Sequence, residues 1–132
     1  MKLVVASASP RRRDLLVRAG YTVVVDPAHV DETPRPGDPP AETVERLARA
    51  KAEAVAERHP HNVVIGADTV IVHGMQTLLG KPRSLKHAER MLARLSGTTH
   101  RVLTGVCIRR LDPPLDLAWT TASRVRFRHL SR

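Results

Sequence analysis

The chain has 132 residues, 42% of them hydrophobic and only 2% aromatic, with a formal charge of +9. That apolar fraction excludes a disordered chain, and the length suits one domain with a modest core. Scarce aromatics nearly exclude base stacking on aromatic platforms, while the charge suits anionic ligands: nucleotides, nucleic acid or acidic surfaces. The single cysteine, Cys107, lies in an apolar run and reads as a buried, inert thiol. Lys2 is followed by only four apolar residues before Ser7, so no signal peptide is expected. No apolar run approaches transmembrane length, and the expectation is a cytoplasmic protein with no membrane partner.

In chain order, residues 2–6 form an apolar run that predicts a short buried strand. Ser9 is a good N-cap and Pro10 a good first residue for a helix over 10–19, with Gly20 as its stop. Arg11, Arg12 and Arg13 fall in its first turn, the wrong charge for the positive end of a helix dipole. Free backbone N–H groups, the hydroxyls of Ser7 and Ser9 and guanidinium forks at such a turn together make a phosphate site. Tyr21 to Val25 predicts a second strand. Asp26 to Pro40 is a proline-rich loop, long enough to be functional, and it carries Asp31 and Glu32.

A helix over 40–58 has the apolar stripe Val44, Leu47, Ala48 and Val55. Lys51 lies on that stripe, either snorkelling to water or aimed across the sheet at an anionic site. Val63 to Ala67 predicts a third strand ending at Asp68 and Thr69. A carboxylate in or just beyond a buried strand points to metal ligation or general-base work. Val70 to Val72 continues extended, and His73 to Met75 reads as a hairpin turn into Gln76–Leu79. Lys81 follows in a tight turn, and Ser84 caps a third helix. Its apolar face is Leu85, Ala88, Met91, Leu92 and Leu95, and Gly97 ends it. His100 to Arg109 and Leu115 to Phe127 are extended, separated by Pro113 and Pro114. The pattern is α/β with a mixed sheet flanked by helices.

Taken together, Ser7, Ser9, Arg11, Arg12, Glu32, Lys51, Asp68, Thr69 and Lys81 are polar groups at element ends or on a buried face. Two carboxylates, Glu32 and Asp68, suit one hard divalent cation. The lysines and arginines suit a polyphosphate, and the mixture is what phosphoryl or nucleotidyl hydrolysis needs. Neither a Walker motif nor GxGxxG is present.

These residues stand in ordered motifs. They are Ala6-Ser7-Ala8-Ser9-Pro10-Arg11-Arg12, Val30-Asp31-Glu32, Arg46-Leu47-Ala48 with Lys51-Ala52, Gly66-Ala67-Asp68-Thr69-Val70, and Leu79-Gly80-Lys81-Pro82, continuing through Leu95-Ser96-Gly97 and Thr104-Gly105-Val106. In these the chain resembles the Maf family of nucleotide pyrophosphatases, once described as septum-formation inhibitors. The resemblance implies a fold similar to that of inosine-triphosphate pyrophosphatases. It implies cleavage of nucleoside triphosphates to monophosphate and pyrophosphate with Mg²⁺ or Mn²⁺. It implies that Asp68 is the proton acceptor, and that Ser9, Arg12, Glu32, Lys51 and Lys81 line the phosphate and metal site. Pro-Arg-Arg with Gly-Ala-Asp-Thr resembles the dTTP/UTP subgroup, in which the residues matching Arg12 and Thr69 belong to the selectivity set.

Family members continue beyond Val125-Arg126-Phe127-Arg128 with the rest of a second lobe and a base-selecting glutamine. Residues 1–132 are therefore expected to be one Maf-like domain lacking the usual C-terminal third, with an exposed edge that invites a homodimer. Two other readings are an inactive fragment of such an enzyme and a basic nucleotide- or nucleic-acid-binding module. The last would use the late arginines Arg109, Arg110, Arg124, Arg126, Arg128 and Arg132. Its weakness is that Glu32 and Asp68 repel phosphates unless a cation intervenes.

Overall fold

The computed structural model describes residues 2–7, 10–32, 35, 37–73, 76–78, 84–126 and 128. The elements are β1 (Lys2–Val5), α1 (Pro10–Arg18), β2 (Thr22–Val25), α2 (Pro40–Ala56), β3 (Val63–His73), β4 (Gln76–Leu78), α3 (Leu85–Leu95), β5 (Thr99–Arg110) and β6 (Leu115–Arg126). They form one six-stranded sheet in the order β2-β1-β3-β5-β6, with β4 on β3. β1 runs parallel to both β2 and β3, and the pairings of β3 with β4, β3 with β5 and β5 with β6 are antiparallel. This is the mixed α/β sheet that the alternation of apolar runs and helical stripes predicts.

α2 lies across one face of the sheet. Val44, Leu47, Ala48, Ala52, Val55 and Ala56 are its buried residues. They meet Val4, Ala6, Val64 and Cys107 towards one end and Val70, Val72 and Leu103 towards the other. Burial pushes the Cys107 thiol up from its ordinary range, in keeping with an inert core residue. The helix has Pro39 as N-cap with no side-chain cap bond, and it ends at Ala56, two residues before the expected end.

Gly20, two residues past the end of α1, has a φ of 98°, the left-handed conformation glycine adopts freely. Tyr21 N–H donates to Leu16 O at 3.2 Å and Gly20 N–H to Val17 O at 3.0 Å, the pair of bonds of a Schellman stop. α1 has no buried residue. α3 does not pack over the whole stripe that its periodicity suggests. Among the described side chains of α3 only Leu95 is buried, while Leu85 and Leu92 are 79% and 50% exposed. An apolar stripe buries itself only where another element stands opposite, and α2 alone has such a partner over its whole length.

The largest difference from the sequence reading is in β3. It runs eleven residues without a break through Asp68 and Thr69, where a strand end is predicted. The β-branched residues Val70, Ile71 and Val72 carry the extended chain on, and the acid inside it is tolerated because a lysine of α2 covers it. Gly74 and Met75 of the expected hairpin turn, Ser9 as N-cap and the turn at Gly80 to Pro82 lie outside the described residues.

Candidate active site

β3 uses the same edge twice. Residues 63–65 pair with β1 and residues 71–73 with β4, while β5 occupies the other edge. Between those patches, 66–70 have no strand partner on that edge among the described residues. The gap opens because β1 ends at Val5 and its chain turns away after Ala6 N–H donates to Ile65 O at 2.9 Å. A crevice at the carboxyl end of parallel strands is where open α/β sheets bind ligands. Asp68 and Thr69 sit in it, and strand alternation sends their side chains to opposite faces.

On the α2 face, Lys51 Nζ lies 3.2 Å from Asp68 Oδ1 and 2.9 Å from Glu32 Oε1. It also donates to Ala67 O at 3.4 Å, a carbonyl of the gap. The Lys51 and Asp68 side chains are 13% and 17% exposed, whereas Glu32, on the loop, is 59% exposed. The alternative of a snorkelling lysine is thereby replaced by the other reading: the ammonium is aimed across the sheet into a polar cluster.

On the other face, Arg12 Nη1 donates to Ser7 Oγ at 3.0 Å and Nη2 to Thr69 Oγ1 at 3.1 Å. Thr69 Oγ1 lies 3.2 Å from Thr104 Oγ1. The described partners of this guanidinium are neutral hydroxyls, so its charge is left for an anion. Ser7, Arg12, Glu32, Lys51, Asp68 and Thr69 are thus gathered around one gap. Arg11 is exposed on α1 and reaches neither cluster. Ser9 and Lys81 lie outside the described residues. Thr104 stands in the sequence reading only as part of the Thr104-Gly105-Val106 motif, without a site role, because its neighbour is set by the β3–β5 register. Two of the late arginines serve the fold: Arg109 pairs with Glu53 and Asp116, each at 3.5 Å, and Arg110 Nε donates to Pro113 O at 2.9 Å.

Glu32 and Asp68 also fit a divalent cation. The two carboxylates already converge on one positive charge, the Lys51 ammonium. No group of three or more metal-type side chains occurs among the described residues. Mg²⁺ is commonly held by one or two carboxylates plus phosphate oxygens and water, so two suffice.

The loop carrying Glu32 is rooted at Asp26. Its carboxylate accepts from Arg58 Nε and Nη2, each at 3.0 Å, and lies 2.9 Å from His59 Nε2. The Arg58 and then the His59 hydrogen bonds hold the Asp26 carboxyl below its usual range. A carboxyl lowered in the folded state stabilises above its unfolded pKa of about 3.9, and the contribution is lost as pH falls through the lower folded value. Wild type should therefore lose stability below about pH 4 more steeply than Asp26→Asn. Urea midpoints across pH 2 to 6 check this (the range spans the ordinary carboxyl values), and parallel curves would contradict it.

The Maf-like protein family profile matches residues 2–132. The chain belongs to this family. Among its relatives, the "dTTP/UTP pyrophosphatase" of Anaeromyxobacter dehalogenans is 50% identical over 131 residues, covering 98% of this chain and 65% of the relative. The protein of the same description from Symbiobacterium thermophilum is 49% identical, covering 99% and 66%. The Maf-like chain thus spans just under two thirds of the length of these relatives. Its fold is also that of the Ham1 protein of Staphylococcus aureus, with a TM-score of 0.64 at 18% identity over 96% of this chain and 71% of that one. No helix among the described residues is long and apolar enough to cross a membrane.

Proposed function

We propose that this Maf-like chain is a nucleoside triphosphate pyrophosphatase that converts dTTP and UTP to monophosphate and pyrophosphate in the cytoplasm. Residues 1–132 would act as one Maf-like domain, with a homodimer as its candidate assembly. The observation that carries the reading is the pairing of two clusters at the gap in β3. One is carboxylates around a lysine, the other an arginine with neutral partners. The description shared by the relatives supports the substrate class.

In this reading Asp68 accepts the proton of the water that attacks the α-phosphorus. The α–β phosphoanhydride bond breaks, and pyrophosphate leaves with its electron pair. Lys51 holds the Asp68 carboxylate in place through the contact at 3.2 Å. Arg12, Lys51 and Ser7, together with Ser9 and Lys81 as the family resemblance implies, bind phosphate oxygens and offset the charge that builds on them. A divalent cation, Mg²⁺ or Mn²⁺, would be held by Glu32 and Asp68 and would polarise the phosphoryl oxygens.

The test is product analysis. Incubation with dTTP or UTP and Mg²⁺ should release pyrophosphate and monophosphate in equal amounts, and EDTA should stop it. Release of orthophosphate instead, or turnover unaffected by EDTA, would refute the reading.

A further inference from the structure

Lys51 Nζ has three acceptors in reach: Glu32 Oε1 at 2.9 Å, Asp68 Oδ1 at 3.2 Å and Ala67 O at 3.4 Å. An ammonium has three donors and no acceptor. All three are therefore engaged before any ligand arrives. The partners differ in how firmly they are held. Ala67 O is backbone of β3, and Asp68 stands on the same strand. Glu32 lies on the loop between β2 and α2 and is 59% exposed. It is the contact that Lys51 gives up most easily. Two positive charges compete for these acids. Mg²⁺ held by Glu32 and Asp68 needs oxygens at about 2.0–2.1 Å. The ammonium within 3.2 Å of both carboxylates stands in that place and repels a second cation. A phosphate oxygen at Lys51 likewise needs a donor that a carboxylate now holds.

From this we infer that Lys51 couples the divalent cation to the triphosphate: each binds weakly alone, and each frees the group that the other needs. The inference rests on the nucleotide and metal reading of the site and adds to it how the two ligands depend on one another. When a phosphate takes the ammonium, Glu32 is released for the cation. When the cation takes Glu32, one N–H of Lys51 is released for the phosphate. The coupling is reciprocal, as linkage between two ligands requires. Asp68 and Ala67 O keep the Lys51 stem in place throughout, so only the exposed contact changes hands.

The experiment titrates each ligand by itself, because a nucleotide chelates the cation in solution. Mn²⁺ alone is followed by its electron paramagnetic resonance signal, and dTTP alone by calorimetry in EDTA. Lys51→Met should bind Mn²⁺ at least about tenfold tighter than wild type, because the competing ammonium is gone. Adding Glu32→Gln to Lys51→Met should abolish that gain. Glu32→Gln by itself should bind metal-free dTTP about two- to fivefold tighter than wild type, the range of an exposed ion pair. In the double variant this second gain should vanish. Glu32 is exposed on its loop, so Glu32→Gln carries the test even where Lys51→Met fails to fold. Wild type binding Mn²⁺ as tightly as Lys51→Met overturns the inference. So does Glu32→Gln binding metal-free dTTP no better than wild type. So does a dTTP gain that survives without Lys51, because the loss of a repelling charge would then explain it. Each of these leaves the pyrophosphatase reading intact as long as wild type releases pyrophosphate from dTTP with Mg²⁺. A wild-type protein that binds no nucleoside triphosphate with the cation present overturns both.

Discussion

Asp68→Asn should abolish pyrophosphate release while leaving nucleotide binding nearly intact. The Asp68 carboxylate sits at the open stretch of β3, half-buried, with Lys51 Nζ 3.2 Å away. A positioned proton acceptor contributes about 10²- to 10⁴-fold to a rate, and kcat should fall by that much. The amide oxygen of asparagine can still accept from Lys51, so the cluster keeps its shape and the phosphates keep Arg12 and Lys51. The loss should therefore appear in kcat with Kd for dTTP little changed, which single-turnover assays beside equilibrium binding resolve. Turnover close to wild type in Asp68→Asn would remove Asp68 from the chemistry. A large loss of binding with kcat preserved would make it a binding group.

Some of this site is readable in the chain because it breaks local rules. Lys51 interrupts an apolar stripe four residues after Leu47 and four before Val55, and Asp68 interrupts a β-branched run. A charge that violates binary patterning is compensated somewhere, and here each compensates the other. Arg12 is conspicuous as a cation at a helix start, but its partners are not. Ser7 is close in sequence, whereas Thr69 is 57 residues away and meets Arg12 only once β1 and β3 are adjacent. Thr104 is further removed still, since it becomes a neighbour of Thr69 only through the β3–β5 register. Periodicity misleads for part of α3, where Leu85 and Leu92 stand on the apolar stripe yet stay exposed although Leu95 of the same stripe is buried. Hydrophobic spacing records which face of a helix can be buried, and the partner that buries it is a property of topology.

Gly66→Ala should unfold the protein at markedly lower denaturant and disable the site together. α2 lies so close to the sheet that a Cβ at Gly66 would run into Ala48 O, and would come within 2.9 Å of Ala52 N. At Gly105 it would meet Val44 O and approach Glu45 N at 2.6 Å. These obstacles are helix backbone, which cannot rotate aside as a side chain does, so the whole of α2 has to lift. Overpacking of this kind costs typically 1–3 kcal/mol, roughly, and more where the backbone must move. Gly66 and Gly105 flank the strand positions of Asp68, with Asp68 in register with Gly105, and Lys51 sits between Ala48 and Ala52 on the displaced helix. Lifting α2 therefore pulls the ammonium away from Asp68 and Glu32 as well. Gly20→Ala is the control. Nothing lies within 4 Å of its Cβ, but its φ is +98°, so it should lose roughly 1–2 kcal/mol of stability from the backbone alone and leave the kcat of the folded protein unchanged. Urea midpoints and kcat for the two glycine variants separate these outcomes. A Gly66→Ala protein with wild-type midpoint and wild-type kcat would mean that α2 does not rest on the sheet through these glycines.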